Sequence, residues 1–132
     1  MRKISIILSA IAISFLLTAL PQVAAAQQQK QFARLVKIVI EPGELETYKS
    51  MLKEGIETAL KTEPGLLALN AVYEKDKPNH VTIYEIFATE DAYRAHLQSP
   101  QYLKYQNGTR DMVKSMEYID VAPPVMETKT KK

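Results

Sequence analysis

The segment "EPGLLALNAVYEKDKPNHVTIYEIFATED", residues 63–91, decides the fold. Two apolar runs, Leu66–Glu74 and His80–Ala88, are rich in β-branched and aromatic residues and flank "KDKPN", whose Pro and Asn favour a turn. They predict a β-hairpin. Pro64 and Gly65 close off whatever precedes the first run. Thr89, with Glu90 and Asp91 behind it, is a good helix N-cap followed by acids where a helix N-terminus favours negative charge.

Working outward, residues 44–61 place Leu45, Tyr48, Leu52, Ile56 and Ala59 at helical spacing, with Met51 and Leu60 widening the stripe, so an amphipathic helix precedes the hairpin. Before it, "FARLVKIVI" (32–40) predicts a strand that Pro42 and Gly43 end. After the hairpin a second helix is expected from residue 90 to about Gln98, broken at Ser99-Pro100 and resuming to about Lys114. "MEYIDVAP" then gives a fourth strand. Strand, helix, strand, strand, helix, strand is the βαββαβ order of an α+β, ferredoxin-like domain with a four-stranded antiparallel sheet. Strand one sets Val36, Ile38 and Ile40 against Leu35, Lys37 and Val39. Strand four sets Met116, Tyr118 and Asp120 against Glu117, Ile119 and Val121. Both sheet faces are therefore substantially apolar, and helices on one side cover only one of them. The expected cover for the other is a second copy, giving a homodimeric α/β barrel.

The chain start points to export. Arg2 and Lys3 precede the apolar run "ISIILSAIAISFLLTAL", which closes on Pro21 and "QVAAAQQQ", the layout of a secretory signal peptide cleaved after Ala26. The expected organisation is a signal peptide (1–26), a polar lead (27–31), one domain (32–122) and a charged tail (123–132), in a periplasmic or secreted protein. The chain has 17 basic and 15 acidic residues, and losing Arg2 and Lys3 equalises them. Neither nucleic acid nor, after cleavage, a membrane is an expected partner. With no cysteine the chain has no disulfide, thiol nucleophile or thiolate metal site. No phosphate loop, serine-hydrolase elbow or metal-ligand spacing occurs.

Several marks fall in a fixed order: Glu63-Pro64-Gly65 before strand two, Pro78 in the turn, Tyr84-Glu85 in strand three, an acidic helix start, and Ala95-His96 followed by Ser99-Pro100 and Tyr102. In these the chain resembles the antibiotic biosynthesis monooxygenase family of quinol monooxygenase-like proteins, over about Phe32 to Val121. The resemblance implies a dimeric α/β barrel with a cavity between helices and sheet in each subunit. It also implies oxidation of quinols or polycyclic phenols by dioxygen with no metal or flavin, although other relatives isomerise a small signalling compound or degrade haem. Many relatives carry histidine directly after the proline of the second helix, where this chain has Gln101. Gln106 stands where the haem-degrading branch has its iron ligand, and the chain lacks the tryptophan of that branch.

Within that frame His96 can accept a proton from a phenol or quinol, or can bond a backbone carbonyl at a helix terminus. Strict alternation places Glu85 with Val81, Ile83 and Phe87, a carboxylate among apolar neighbours that must be paired or have a raised pKa. It is either the acid/base partner of His96 or a structural hydrogen bond. Asn70 can donate to a bound carbonyl or a dioxygen-derived anion, or satisfy a bulge. Tyr84, Tyr102 and Tyr105 can wall an aromatic pocket or form core and dimer contacts. His80 is a weaker candidate, and Asn107-Gly108-Thr109 fits a glycosylation sequon whose plainer use is a turn. The expected activity is a cofactor-independent monooxygenase taking a small aromatic or quinol-like molecule and dioxygen. A non-catalytic small-molecule-binding dimer and an oxygen-independent isomerase are the alternatives.

Overall fold

The computed structural model describes residues 30–123. The expected signal peptide (1–26), residues 27–29 of the polar lead and the tail beyond Pro123 lie outside them. Four strands, β1 (Phe32–Ile40), β2 (Leu66–Tyr73), β3 (His80–Phe87) and β4 (Val113–Val121), form one sheet. Its order is β2-β3-β1-β4, with every neighbouring pair antiparallel. Three helices, α1 (Leu45–Thr62), α2 (Glu90–His96) and α3 (Pro100–Thr109), complete the expected ferredoxin-like arrangement. None is long and apolar enough to cross a membrane.

The helices share one face of the sheet. Tyr48, Leu52 and Ala59 of α1 pack on Val36, Ile38 and Ile40 of β1 and Val81, Ile83 and Phe87 of β3, forming the core. Strand register fixes the parity. Val36 lies opposite Ile83 and Tyr118, and Arg34 opposite Glu85 and Asp120, so all of these share the helix side. The other face carries Leu35, Val39, Asn70, Val72, Tyr84, Ile119 and Val121.

Local chemistry sets the element ends. Pro64 restricts the residue before it to extended backbone, and Glu63 leaves α1 at φ −104°, ψ 103°. The Thr89 side chain accepts from the Ala92 N–H at 3.0 Å and caps α2. The expected second helix is two helices. The Ser99 hydroxyl donates to the His96 carbonyl at 2.7 Å and accepts from the Tyr102 N–H at 3.3 Å, closing α2 and opening α3 on Pro100. α3 also stops at Thr109, short of the expected Lys114, because the edge of the sheet captures the chain after it. A 3-10 turn at Arg110–Met112 follows, the Glu41 N–H donates to the Met112 carbonyl, and Ile40 pairs with Val113, so β4 starts three residues earlier than its apolar pattern suggests.

Candidate active site

Between the helices and the sheet lies a cavity of about 300 Å³. Val36, Ile38, Leu52, Leu69, Ile83 and Leu97 give it apolar walls, while Glu85, Tyr93, His96, Tyr102 and Tyr105 supply its polar and aromatic groups. Met116, Tyr118, Gln106 and Arg110 also line it and are all exposed, which puts the mouth along the outer strand β4.

His96 ends α2 and is 6% exposed. Its Nδ1 lies 2.7 Å and 3.0 Å from the two carboxylate oxygens of Glu63, and Gln101 Nε2 donates to Glu63 Oε2 at 2.6 Å. Glu63 therefore accepts from a neutral amide and from the imidazole. A carboxylate at Nδ1 holds the proton there and leaves Nε2 as the ring's acceptor. That nitrogen has no side-chain partner among the described residues. The ring also contacts Phe87 and Tyr102, with centroids 5.2 Å and 4.9 Å away. Of the two readings of His96, the backbone-carbonyl bond does not form; a buried His–Glu pair does.

Glu85 is also 6% exposed, and no side chain among the described residues hydrogen-bonds its carboxyl. Burial pushes it up to about 7. The Arg34 cation beside it opposes that rise, and the Glu63 carboxylate adds to it. Arg34 is itself held by Asp120, with Nε to Oδ1 at 2.7 Å, and by the Tyr93 hydroxyl. It also lies over the rings of Tyr93, Phe32 and Tyr118 at 4.7, 5.0 and 5.3 Å. Arg34 thus commits Nε to Asp120 and Nη1 to Tyr93, and acts on Glu85 through its charge and not through a hydrogen bond. The result is a carboxyl that changes protonation near neutrality, in one cavity with an oriented imidazole.

Of the residues singled out from sequence, His96, Glu85, Tyr102 and Tyr105 meet at this cavity. Asn70 and Tyr84 do not. They pair with each other across β2 and β3 on the opposite face of the sheet, where Asn70 is exposed. The Tyr84 hydroxyl is buried with no hydrogen-bond partner among the described residues. His80 lies away from the cavity, 3.8 Å from Glu74. Glu63, Gln101, Arg34 and Tyr93 complete the site. For Glu63 the available signal was the proline after it, which predicts that this residue turns off the helix axis. Among the described residues, no three His, Asp or Glu side chains form a metal-binding group.

The model of the antibiotic biosynthesis monooxygenase family matches residues 31–108, a span holding Glu63, Glu85, His96 and Tyr105. The chain belongs to that family. A crystal structure from Bacteroides thetaiotaomicron, described as a candidate antibiotic biosynthesis monooxygenase, is 48% identical, with a TM-score of 0.72 over 77% of this chain and 97% of its own. A candidate monooxygenase from Lactobacillus acidophilus is 28% identical, with a TM-score of 0.67 over 69% of this chain and 43% of its own. A candidate antibiotic biosynthesis monooxygenase from Nitrosomonas europaea shares the fold at 18% identity, with a TM-score of 0.69 over 74% of this chain and 94% of its own. No curated protein matches the chain. In this chain the position after Pro100 holds Gln101, which acts as a donor to Glu63.

Proposed function

We propose that the protein is an exported, cofactor-independent monooxygenase of a small quinol or phenol, working as a homodimer. One observation carries the reading: an imidazole oriented by a buried carboxylate and an unpartnered carboxyl titrating near 7 face the same aromatic-walled cavity. The basic start and apolar run of residues 2–20 support export to the periplasm or beyond.

In the proposed reaction His96 accepts the substrate hydroxyl proton, and Glu63 stabilises the imidazolium that forms. The electron-rich ring anion passes an electron to dioxygen, and the resulting pair combines to place a C–O bond on a ring carbon. Glu85, in its neutral form, protonates the distal peroxide oxygen. The Glu85 carboxylate so formed takes the proton from that carbon as the O–O bond breaks, leaving a ring carbonyl and hydroxide, which takes the proton stored on His96 and departs as water. The ring gains one oxygen atom and loses two hydrogens, all four electrons coming from the substrate. The apolar walls keep bulk water from quenching the anion.

Oxygen uptake by the purified protein over a panel of quinols and phenols tests this. Uptake above the spontaneous rate is expected on at least one of them, and His96→Gln and Glu85→Gln should each reduce it on the order of a hundredfold. Uptake that never exceeds the spontaneous rate overturns the proposal. A ligand that copurifies unchanged would then favour simple binding, and anaerobic turnover would favour isomerisation.

A further inference from the structure

Asp120 is a charged residue level with the site that the reaction above does not use. The strand register sets three charged side chains in one row across the sheet, with Arg34 of β1 directly opposite Glu85 of β3 on one side and Asp120 of β4 on the other. All three share the helix side. Directly opposed residues of neighbouring antiparallel strands have Cβ atoms about 5 Å apart, so the cation stands between two carboxyl groups. It bonds only one of them. Arg34 Nε meets Asp120 Oδ1 at 2.7 Å, Nη1 donates to the Tyr93 hydroxyl, and the rings of Phe32, Tyr93 and Tyr118 pack around the guanidinium. Burial changes along the row. The Asp120 side chain is 70% exposed and that of Arg34 17%, while Glu85 is buried inside the cavity. Charges act most strongly where water is excluded, so the field of the guanidinium reaches inward to Glu85, and Asp120 is the end that solvent reaches.

A cation beside Glu85 favours its ionised form. Whatever part of that field Asp120 offsets favours the neutral acid instead. We propose that Asp120 is a positioning residue for Glu85, acting through Arg34: by holding the guanidinium and offsetting its charge, it keeps the cavity acid protonated at neutral pH. The other groups that face Glu85 do not take this part. Glu63, at the end of α1, also favours the neutral form, but it is tied to His96 of α2 and to Gln101 of α3, so its charge is offset once His96 holds the substrate proton. The remaining titratable neighbours are the phenols of Tyr93 on α2, Tyr102 on α3 and Tyr118 on β4, and β2 sets the apolar Leu69 opposite. Asp120 is the one charge in the row that the reaction leaves unchanged. This rests on the monooxygenase reading for the use made of the acid, but the ionisation of Glu85 is measured without turnover.

The test follows the Glu85 carboxyl by carbon NMR across pH, in protein labelled at its glutamate carboxyls, the signal being identified by its loss in Glu85→Gln. Asp120→Asn should lower the midpoint by about one pH unit, a tenfold drop in proton affinity, and Arg34→Gln should raise it by about as much. In protein that already carries Arg34→Gln, adding Asp120→Asn should move the midpoint by less than about a third of a unit, because the route through Arg34 is gone. Asp120 is exposed, so its variants keep the fold whatever Arg34→Gln does, and Asp120→Glu, which restores the charge, should bring the midpoint back. A merely structural ion pair would lower the melting temperature and leave the midpoint in place. The inference is overturned by that outcome, by a midpoint that rises in Asp120→Asn, by Asp120→Glu behaving as Asp120→Asn does, or by an Asp120 effect that persists in full without Arg34. In oxygen uptake, the alkaline loss of activity should move down with the midpoint in Asp120→Asn. A midpoint that moves as expected in protein that takes up no oxygen supports this inference and removes the monooxygenase reading.

Discussion

At Glu85 the alternation of a single strand sets a protonation state. Its carboxyl ionises at 4.5 when unfolded and at about 7 when folded. Below the lower value it is neutral in both states and stability is complete. As pH rises toward 7 only the unfolded chain releases the proton, so stability falls, by on the order of 3 kcal/mol at the alkaline end. Glu85→Gln should therefore melt higher than wild type at pH 8 and about level with it at pH 4, which thermal melts across that range would check. Loss of the neutral acid should also lower any turnover as pH passes about 7. His96 depends on a residue 33 positions earlier. Glu63→Gln keeps the shape but removes the charge behind the ring, and kcat should fall about tenfold to a hundredfold with KM little changed. Glu85 could be placed from sequence because alternation with Val81, Ile83 and Phe87 is a local pattern. The same alternation puts Tyr84 on the opposite face, so the two could not share a site. The role of Glu63 could not be found that way, because it exists only when α2 is brought down on the end of α1.

That approach is an element-scale event, and Gly65 permits it. A Cβ at Gly65 would lie 2.5 Å from the Ala92 Cβ, so β2 begins in direct contact with α2. Gly65→Ala should cost about 1–3 kcal/mol by overpacking and should loosen the His96–Glu63 pair. At Gly108 the added carbon would instead meet the flexible end of Met51, which can swing aside. Urea unfolding of the two variants should show the larger loss at Gly65. At this scale β1, α1 and the hairpin were legible within a residue or so, since their apolar periods run uninterrupted between Pro and Gly. The α3–β4 junction was not. Thr109 to Ser115 carries no strong period, and pairing with the end of β1 decides it, a long-range contact invisible in a local window.

For the whole molecule the outer sheet face is the surface that the proposed dimer would cover. Val72 is 64% exposed there, and the buried Tyr84 hydroxyl lacks a partner among the described residues. A second sheet packed on this face would hide the apolar residues and bring acceptors near Tyr84. Sedimentation at micromolar concentration should give about twice the monomer mass, and Val72→Asp should shift the protein toward monomer. The order of the elements was legible in the residues themselves, and so was the apolar character of both faces, but the cavity was legible only through the family resemblance. It depends on α1, α2 and α3 standing off β4, which leaves Tyr118 52% exposed at the mouth. In the proposed reaction this cavity inserts one atom of dioxygen into an aromatic ring using protein side chains alone. Its most direct test is turnover of a para-quinol by metal-stripped, flavin-free protein under doubly labelled dioxygen, with product and water analysed by mass. One labelled atom is expected in the ring product and the other in water. A product free of label, or turnover that returns only when a metal or flavin is added back, would contradict it.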